Sequence, residues 1–453
     1  MLKPLPRKFQ DSKHISNSII LIRNVHVWTP DGIRQESILI RNGEIEKIAK
    51  NIVSQSATET IDGARLVAIP GLVDAHVHLR DLELSYKEDF TSGTAAAAAG
   101  GFTTVLDMPN TKPPTDSAER LVEKQARAQD RIHVNVGFHA AAVEDPAIIN
   151  GLSHGGAFSL KLYMPRPISM IDVENDETLM HIMKTASKLD LPLTVHAEDP
   201  DFFLEEPAQN FYDIARFRRL GSETVAVNRI IELQEESGCR THFCHVTLAS
   251  SIEKINMLRS RKLSSEVTPH HLLLSDKILR RAKWKAWMVP PLRPNNVRQE
   301  LYNATMHDQV TLIASDHAPH TLKEKEVPPA ESAPGIPGLE TTLPLLLTLF
   351  NKGQLVLSEI IRLLSVNPRR VFGLSSHLLR PRQTADIVLL DLKKKSKVDS
   401  SKFFSKAKYS PFDGFPIHGA VHSTIVNGNL VFSQGEMMDN STVGRVLKRN
   451  DPV

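Results

Sequence analysis

Residues that can bind divalent metal ions stand at the end of a β-strand predicted early in the chain. The run from Asp74 to Arg80 contains His76 and His78, two positions apart. Because side chains alternate between the two faces of a strand, both imidazoles lie on one face and can chelate a single ion. A lone His-x-His pair is more often only a pair of polar edge residues, so it needs support from elsewhere in the sequence.

That support comes from four later predicted strands, each of which carries an ionisable or metal-binding residue near its end: Lys161, His196, His245 and Asp316. One histidine at such a place is usually structural, but this whole set at one rim predicts a metal centre. Lys161 stands between leucines, where a charged amine is costly unless it is neutralised or modified. Cys244 could be a further ligand, although we favour a small buried side chain there.

The number of ligands predicts two ions rather than one. Four histidines, one carboxylate and one lysine suit a pair of divalent ions, with Zn²⁺ as the expected metal: His76, His78, His196, His245, Asp316 and Lys161. Two neighbouring cations need a negatively charged bridge, which the lysine supplies if carbon dioxide converts its amine to a carbamate. Metal coordination lowers the pKa of bound water to about 7, so such a centre can carry out hydrolysis near neutral pH.

The strands that carry these residues alternate with helical stretches in the middle of the chain. Short apolar strands are predicted at residues 72–79, 102–108, 132–139, 157–163, 192–197, 241–246, 265–270 and 311–316. Helices are predicted between them, for example at residues 90–100 and 222–236. Eight such units in a row predict an α/β fold, a TIM-like (β/α)₈ barrel whose active site lies at the C-terminal ends of the strands.

The two ends of the chain resemble each other and differ from the middle. Short β-rich runs bounded by Asn-Gly turns occur at residues 19–22 and 37–40, and again at 386–391 and 423–431. Such runs predict hairpins. We therefore expect both ends to form one small β-sandwich, with residues 1–65 and 381–453 contributing its two parts and residues 66–380 forming the metal-dependent barrel.

The composition excludes several classes of partner. The 55 basic and 52 acidic residues almost balance, so neither nucleic acid nor an anionic membrane is expected, and a small-molecule substrate is. The chain contains no run of about 18 apolar residues, and residues 1–18 are polar without an apolar stretch, so we expect no secretory signal. Two cysteines, Cys239 and Cys244, cannot staple a fold of this size, which favours a reducing, cytoplasmic setting.

Several motifs point to one family. They occupy residues 70–80 (PGLVDAHVHLR), 87–90 (KEDF), 108–111 (MPNT), 266–271 (EVTPHH), 315–320 (SDHAPH), 337–341 (PGLET) and 367–370 (NPRR). On these motifs, which extend from about residue 70 to 372, the chain resembles the dihydroorotases of the amidohydrolase superfamily. The likeness is to the archaeal enzymes and the dihydroorotase domain of the multifunctional animal pyrimidine protein. Allantoinases and hydantoinases share the metal ligands but usually lack the combination of MPNT with His-x-His-x-Arg.

The resemblance implies a reaction, the reversible zinc-dependent cyclisation of N-carbamoyl-L-aspartate to (S)-dihydroorotate in pyrimidine biosynthesis. It also implies a role for each ligand: one ion held by His76, His78 and Asp316, the other by His196 and His245, and a bridging carbamate on Lys161. By analogy with the family, the chain is expected to form a homodimer or to associate with other enzymes of the pathway.

The resemblance further implies that Arg80 and Asn110 hold the substrate carboxylate and that His320 adds a contact. An arginine fork suits a carboxylate on physical grounds as well. Asp316 is expected to be the catalytic residue, which takes a proton during ring opening and gives it to the leaving ring nitrogen.

Two departures from the family bear on the substrate. Many relatives have Arg-Glu-Pro-Gly where residues 80–83 read Arg-Asp-Leu-Glu, and many have a polar residue where this chain has Val289. A related cyclic-amide hydrolase, of the allantoinase or of the hydantoinase and dihydropyrimidinase type, is therefore the alternative enzyme. A non-catalytic scaffold is the third hypothesis, against which the complete set of ligands argues.

Four other histidines are not expected to bind metal. His139 is interpreted as a rim or core residue, and His317 should point away from the site. His270 and His271 are expected to orient ligands rather than to act as ligands. The proline-rich span at residues 327–337 is interpreted either as a cover over the site or as an ordinary exposed loop.

Overall fold

The structure is a computed structural model, and it describes residues 19–204, 206, 208–258, 260–439 and 441–449. The expectation that residues 1–18 hold no secretory signal concerns residues outside these ranges. Among the described residues, no helix combines the length and the apolar character needed to cross a membrane.

The strands of the described residues are β1 (Ile19–Thr29), β2 (Gly32–Arg41), β3 (Glu44–Ala49), β4 (Glu59–Asp62), β5 (Val67–Pro70), β6 (Leu72–Val77), β7 (Phe102–Asp107), β8 (Asn135–Phe138), β9 (Ala140–Ala141), β10 (Leu160–Tyr163), β11 (Leu193–His196), β12 (Thr241–Phe243), β13 (Leu263–Val267), β14 (Leu312–Ile313), β15 (Ile387–Lys397), β16 (Pro416–Val426), β17 (Asn429–Ser433) and β18 (Glu436–Met437). The α-helices are α1 (Phe90–Ala99), α2 (Ala118–Ala128), α3 (Pro146–His154), α4 (Asp176–Lys188), α5 (Phe211–Phe217), α6 (Leu220–Ser237), α7 (Ala249–Met257), α8 (Pro269–Leu273), α9 (Leu279–Ala282), α10 (Asn295–Met306), α11 (Leu322–Lys325), α12 (Leu339–Asn351), α13 (Leu357–Ile361) and α14 (Asn367–Phe372).

The strands β6 to β14 form a closed parallel barrel. One sheet runs β6-β7-β8 and another runs β9-β10-β11-β12-β13-β14. His139 alone separates β8 from β9, so these two segments act as one interrupted strand. The ring closes between β14 and β6, where Val77 and His317 form a parallel bridge and the backbone N–H of His78 donates to the carbonyl of His317 at 2.8 Å. The predicted eight-stranded barrel is thereby confirmed.

Local sequence explains how the barrel elements form. All six residues of β6 are buried, as expected for a parallel strand that is covered on both faces. The helix α1 begins after Asp89, whose side chain accepts a hydrogen bond from the N–H of Ser92. Its buried face consists mainly of glycine and alanine, which lets the helix pack close to the strands.

The terminal strands form one nine-stranded sheet from β1 to β5 and β15 to β18. Along β15, Ile387 and Leu389 join an apolar cluster shared with β1 and β2. The alternate residues Val388 and Leu390 belong to the core of the barrel. The period of two along this strand therefore fastens the β-rich module to the barrel. The division of the chain at residues 65/66 and 380/381 stays a prediction.

Several predicted strands end earlier than expected, with β6 ending at Val77, β12 at Phe243 and β14 at Ile313, and another is followed by a helix. Residues 265–270 were expected to form a single strand, but β13 ends at Val267 and a helix, α8, begins at Pro269. The side chain of Thr268 accepts a hydrogen bond from the N–H of His271 and so caps the helix. A threonine followed by proline is a helix start signal, because proline at the first helical position needs no hydrogen-bond acceptor for its nitrogen.

Candidate active site

A cavity of about 480 Å³ lies at the C-terminal ends of the barrel strands. It is lined by all nine residues to which the sequence analysis gave a role: His76, His78, Arg80, Asn110, Lys161, His196, His245, Asp316 and His320. Most of them are nearly inaccessible to solvent, with only His78 and Asn110 partly exposed. The structure thus brings together residues that are up to 244 positions apart only because the barrel closes.

The first group of ligand atoms contains the Nε2 atoms of His76 and His78 and one carboxylate oxygen of Asp316. That oxygen lies 3.4 Å from Nε2 of His76 and 3.2 Å from Nε2 of His78. Nitrogen and oxygen ligands about 2.0–2.2 Å from a tetrahedral Zn²⁺ ion lie about 3.3 Å from one another. The spacing of this group therefore fits a divalent ion.

The second group contains His196 and His245, whose rings are in edge-to-face contact with centroids 4.5 Å apart. The Nδ1 atom of His196 lies 3.0 Å from Nε2 of His245. The remaining ring nitrogen of His245, Nδ1, is buried and has no hydrogen-bond partner among the described residues. The rings of His76 and His245 have centroids 5.2 Å apart, so the two groups are neighbours.

In three of these rings, a hydrogen bond to an oxygen shows which nitrogen donates. Nδ1 of His76 faces a carboxylate oxygen of Glu266 at 2.5 Å, and Nδ1 of His78 faces the amide oxygen of Asn110 at 2.6 Å. Nε2 of His196 faces a carboxylate oxygen of Glu198 at 2.7 Å. Since these oxygens only accept, each ring donates there, and its other nitrogen is the one that a metal ion can bind. Each of these other nitrogens points into one of the two ligand groups.

The charges around the rings favour a cation. Burial opposes protonation of His76, but the carboxylates of Glu266 and Asp316 outweigh it and raise its pKa to about 10, so a metal ion that binds Nε2 takes the place of a proton there. Burial lowers the pKa of His78 and of His196 to about 4, so both are neutral and able to bind metal at neutral pH. The carboxylate of Asp316 is buried, yet His76 and His78 hold its pKa below the usual range.

Lys161 lies between the two groups, and its charge disfavours protonation of His76, His196 and His245. Its amine is 4% exposed and lies 3.0 Å from the sulfur of Cys244. No carboxylate among the described residues comes within ion-pair distance of it. A buried amine without a counter-ion fits a lysine that is modified when the site is complete. Cys244 is buried, as expected, but this contact with Lys161 was not foreseen.

The other end of the cavity suits a carboxylate. Arg80 donates from Nε to the carbonyl of Pro319 at 3.3 Å and from Nη2 to His320 Nε2 at 3.1 Å. These two bonds hold the guanidinium, and its other N–H groups donate to no acceptor among the described residues, so they can bind a ligand. Asn110 uses its amide oxygen to accept from His78, so its NH₂ group is the part left to donate. In this arrangement His320 contacts Arg80 rather than offering a donor of its own.

Several residues of the site have positive φ angles, which are unfavourable for residues other than glycine. They are Arg80 (61°), Asp81 (49°), Leu82 (49°), His245 (35°) and Asp316 (46°). Asp81 is fully buried and accepts hydrogen bonds from the backbone of Leu82 and Phe90, which holds this turn in place. Such backbone strain concentrates at functional sites, and here it involves two proposed metal ligands and the proposed carboxylate ligand.

The structure also locates the residues that were set aside. His139 is buried beside Ser159 and the carbonyl of Ala75, and His317 is buried beside Glu88. His270 and His271 are buried on α8 and do not line the cavity. Val289 does line it, without offering a hydrogen bond. Of the proline-rich span at residues 327–337, Pro334 and Gly335 form part of the wall.

Sequence analysis missed the acidic residues that hold the histidines. Glu266 and Glu198 are completely buried and contact His76 and His196 respectively. Both lie close to residues that the sequence already singled out: Glu266 begins the stretch EVTPHH, and Glu198 comes two positions after His196. Glu266 could have been found from its place in the sequence. It stands near the end of a predicted barrel strand that carries no other ligand, where a carboxylate would be buried.

Comparison with known proteins gives consistent results. Residues 67–431 match the model of the Amidohydrolase family. A dihydroorotase from Methanosphaera stadtmanae is 35% identical over 416 residues, covering 88% of this chain and 94% of the relative. A dihydroorotase from Methanothermobacter thermautotrophicus is 36% identical over 415 residues, with coverages of 89% and 93%. Among solved structures, an L-hydantoinase (dihydropyrimidinase) from Arthrobacter aurescens superimposes with a TM-score of 0.89 at 29% identity, covering 95% of this chain and 99% of that one.

Proposed function

Since the chain belongs to the amidohydrolase family and is related along most of its length to dihydroorotases, we propose that it is a metal-dependent cyclic amidohydrolase that catalyses the dihydroorotase reaction. It cyclises N-carbamoyl-L-aspartate to (S)-dihydroorotate, reversibly, as a step of pyrimidine biosynthesis. The observation that carries the proposal is a single cavity that contains a metal-ligand cluster at one side and the arginine–amide pair of Arg80 and Asn110 at the other.

The proposed metal centre takes two divalent ions, with Zn²⁺ as the expected metal. His76, His78 and Asp316 would hold one ion, and His196 and His245 the other. A carbamate formed on Lys161 from carbon dioxide would bridge the two. When bound, the ions polarise the carbonyl group that reacts and activate water. Three observations support this assignment: the spacing of the ligand atoms, the ring nitrogens that face one another, and the Lys161 amine, which contacts the sulfur of Cys244 but has no carboxylate within ion-pair distance among the described residues.

The substrate is held by its carboxylate. Arg80 offers the N–H groups that its bonds to Pro319 and His320 leave free, and Asn110 offers its NH₂ group. Both the open and the cyclic form of the substrate keep this carboxylate, so the same contacts orient both. Charge-assisted hydrogen bonds of an arginine fork to a carboxylate are among the strongest in proteins.

Asp316 is the proposed proton carrier. Its pKa is held below the usual range although burial opposes this, so it is a carboxylate at neutral pH and able to accept a proton. In ring closure it takes the proton from the ureido nitrogen as that nitrogen attacks the side-chain carboxyl carbon, and it gives this proton to the carboxyl oxygen that leaves when the carbon–oxygen bond breaks, as hydroxide that solvent protonates to water. In ring opening it takes a proton from the water that adds to the same carbon, and it gives that proton to the ring nitrogen as the carbon–nitrogen bond breaks. It lies 3.2 Å from Nε2 of His78, among the proposed metal ligands, and this supports the role.

A second candidate is a hydantoinase or dihydropyrimidinase activity. The similarity to the Arthrobacter aurescens hydantoinase and the apolar Val289 in the cavity wall favour it. The substrates of that reaction lack a carboxylate, so they would leave Arg80 buried without a counter-ion. Burying an unpaired charge is costly, and this favours the dihydroorotase reaction.

Substrate assays decide between the two. The purified protein is incubated with carbamoyl-aspartate and with dihydroorotate, and then with allantoin and with hydantoin. The proposal predicts turnover of the first two compounds in both directions. Turnover of only the last two would overturn it, and turnover of none by protein that contains two metal ions would favour a scaffold.

The cellular setting is part of the proposal. Two buried free cysteines support a reducing, cytoplasmic location. A homodimer, or association with other enzymes of the pathway, rests on the family resemblance. Sedimentation of the purified protein tests the oligomeric state, and a mass equal to one chain would contradict the dimer.

A further inference from the structure

Glu266 is in contact with both halves of the proposed metal centre although it does not line the cavity. It lies in β13 and is 1% exposed. One carboxylate oxygen, Oε1, lies 2.5 Å from Nδ1 of His76 and accepts from the backbone N–H of His245 at 3.1 Å. The other, Oε2, lies 3.0 Å from Nε2 of His242.

The positions of the protons are consistent around this residue. A carboxylate only accepts, so His76 carries its proton on Nδ1 and His242 carries one on Nε2. The other nitrogen of His242 lies 2.9 Å from the hydroxyl of Ser264, which can donate to it. Three N–H groups therefore share one buried negative charge, and none of the three is left without a partner.

We propose that Glu266 is a positioning residue that couples the two halves of the metal centre. In the first half it holds the ring of His76 so that Nε2 faces His78 and Asp316. In the second half it holds the backbone of His245, whose φ angle of 35° needs such support. The inference rests on the proposed metal ligands and adds that the two ions are bound or lost together.

Glu198 provides the internal comparison, because it acts on one half only. It accepts from Nε2 of His196 at 2.7 Å and is itself held by Arg218 at 2.6 Å. Neither His76 nor His78 contacts it. Removing its charge should therefore weaken the ion held by His196 and His245 and leave the other ion in place.

A direct metal-ligand role for Glu266 is the competing explanation, since His76, Cys244 and Glu266 have ligand atoms close together. Both oxygens of Glu266 already accept hydrogen bonds. The nitrogen of His76 that faces Glu266 is Nδ1, whereas Nε2 faces the group with His78 and Asp316. For Glu266 to be a ligand, the ring of His76 would have to bind one ion through Nδ1 and another through Nε2.

The test measures metal binding directly and does not depend on activity. Glu266→Gln, Glu198→Gln and the wild type are stripped with chelator and titrated with Co²⁺, whose visible absorption reports the environment of each bound ion. Glutamine has one acceptor oxygen and no charge. It therefore cannot accept from His76, His242 and the backbone N–H of His245 in the present geometry. Affinity should fall about 10- to 100-fold for both ions in Glu266→Gln, and for one ion only in Glu198→Gln.

Glu223→Gln is the matched control. Glu223 is also a buried glutamate that accepts backbone hydrogen bonds, from Thr247 and Leu248, but no histidine of the described residues lies within hydrogen-bond distance of it. Its titration should follow that of the wild type. If Glu266→Gln does not fold, Glu266→Asp keeps the charge, withdraws the carboxylate by one methylene group and should give the same paired loss.

Loss of one ion alone in the Glu266 variants, or wild-type affinity for both ions, would overturn the coupling. A changed Co²⁺ spectrum with one ion retained would indicate the direct ligand. Failure of the proposed function is distinguishable, because a wild-type protein that binds two ions but does not convert carbamoyl-aspartate would leave the coupling intact.

Discussion

The two ends of the cavity are built differently. At the metal end, three of the six proposed ligands lie in barrel strands (His76, Lys161 and His196) and the other three closely follow their strands; the rings of His76 and His196 are fixed by buried carboxylates. At the carboxylate end, Arg80, Asn110 and His320 follow their strands on loops, and Arg80 has a positive φ angle. Strands position ligands by their regular alternation, whereas loops need individual contacts. The carboxylate end should therefore tolerate change better and decide which substrate is used.

A buried ion pair contacts the backbone next to the carboxylate end. Lys124 and Asp107 are both completely buried, with 2.6 Å between Nζ and a carboxylate oxygen. Lys124 also donates to the carbonyl of Met108, and Asp107 accepts from the N–H of Leu79. The pair therefore fixes the turns that lead to Asn110 and Arg80.

The largest expected effect comes from Asp316→Asn, which acts at the metal end. Asparagine cannot carry the proton, so kcat should fall about 10²- to 10⁴-fold in both directions of the reaction. Metal content is measured in parallel, because Asp316 is also a proposed ligand, and rates are compared per loaded site. A loss of less than tenfold in loaded protein would remove Asp316 from the mechanism.

Breaking the buried pair tests how much it stabilises the fold beneath the carboxylate end. Lys124→Met leaves Asp107 buried without a partner, which should lower the free energy of unfolding by about 3–5 kcal/mol. Urea unfolding of variant and wild type measures this. The double variant Lys124→Met/Asp107→Leu removes both charges and should recover most of the loss. Equal stability of wild type and single variant would contradict the role of the pair.

Arg80→Met removes the charge that receives the substrate. Charge-assisted hydrogen bonds contribute about 1.5–3 kcal/mol, so kcat/KM for carbamoyl-aspartate should fall about 10- to 150-fold, mainly through KM. Metal content should not change, because Arg80 contacts neither ligand group through a hydrogen bond. Arg80→Lys keeps the charge and loses the fork, so an intermediate value is expected. An unchanged KM in Arg80→Met would count against carboxylate recognition at this place.

The smallest expected effect comes from Val289→Asn, which adds a polar group to the cavity wall. One new hydrogen bond contributes about 0.5–1.5 kcal/mol, so KM for dihydroorotate should fall about 2- to 10-fold. Val289→Ala serves as the control for volume alone. If the asparagine variant binds dihydroorotate no better but hydantoin better, the substrate assignment would have to be reversed.

That the proposed metal ligands meet could be predicted because their pattern is local. His76 lies in β6 and His78 directly after it, and four later strands carry or closely precede a ligand-type residue, so the closed barrel alone brings them to one rim. The helix that begins at Pro269 was predicted as strand, because an apolar run next to a strand outweighed the Thr-Pro start signal.

The supporting contacts could not be predicted in the same way. Glu266 and His76 are 190 positions apart, and nothing in either local sequence states that they meet. The same holds for the contact between Lys161 and Cys244 and for the bond from Arg80 to His320. Such pairs depend on rotamers and on loop paths that only the packed barrel determines.

The most direct test of the metal centre is anomalous diffraction at the zinc edge from crystals of protein purified without chelator, with native mass spectrometry of the same sample. Two peaks about 3.5–4 Å apart are expected, one beside His76, His78 and Asp316 and the other beside His196 and His245. Continuous density should join Lys161 to both, with the added mass of one carbon dioxide per chain. A single peak, or an unmodified Lys161 in protein that holds two ions, would contradict the account.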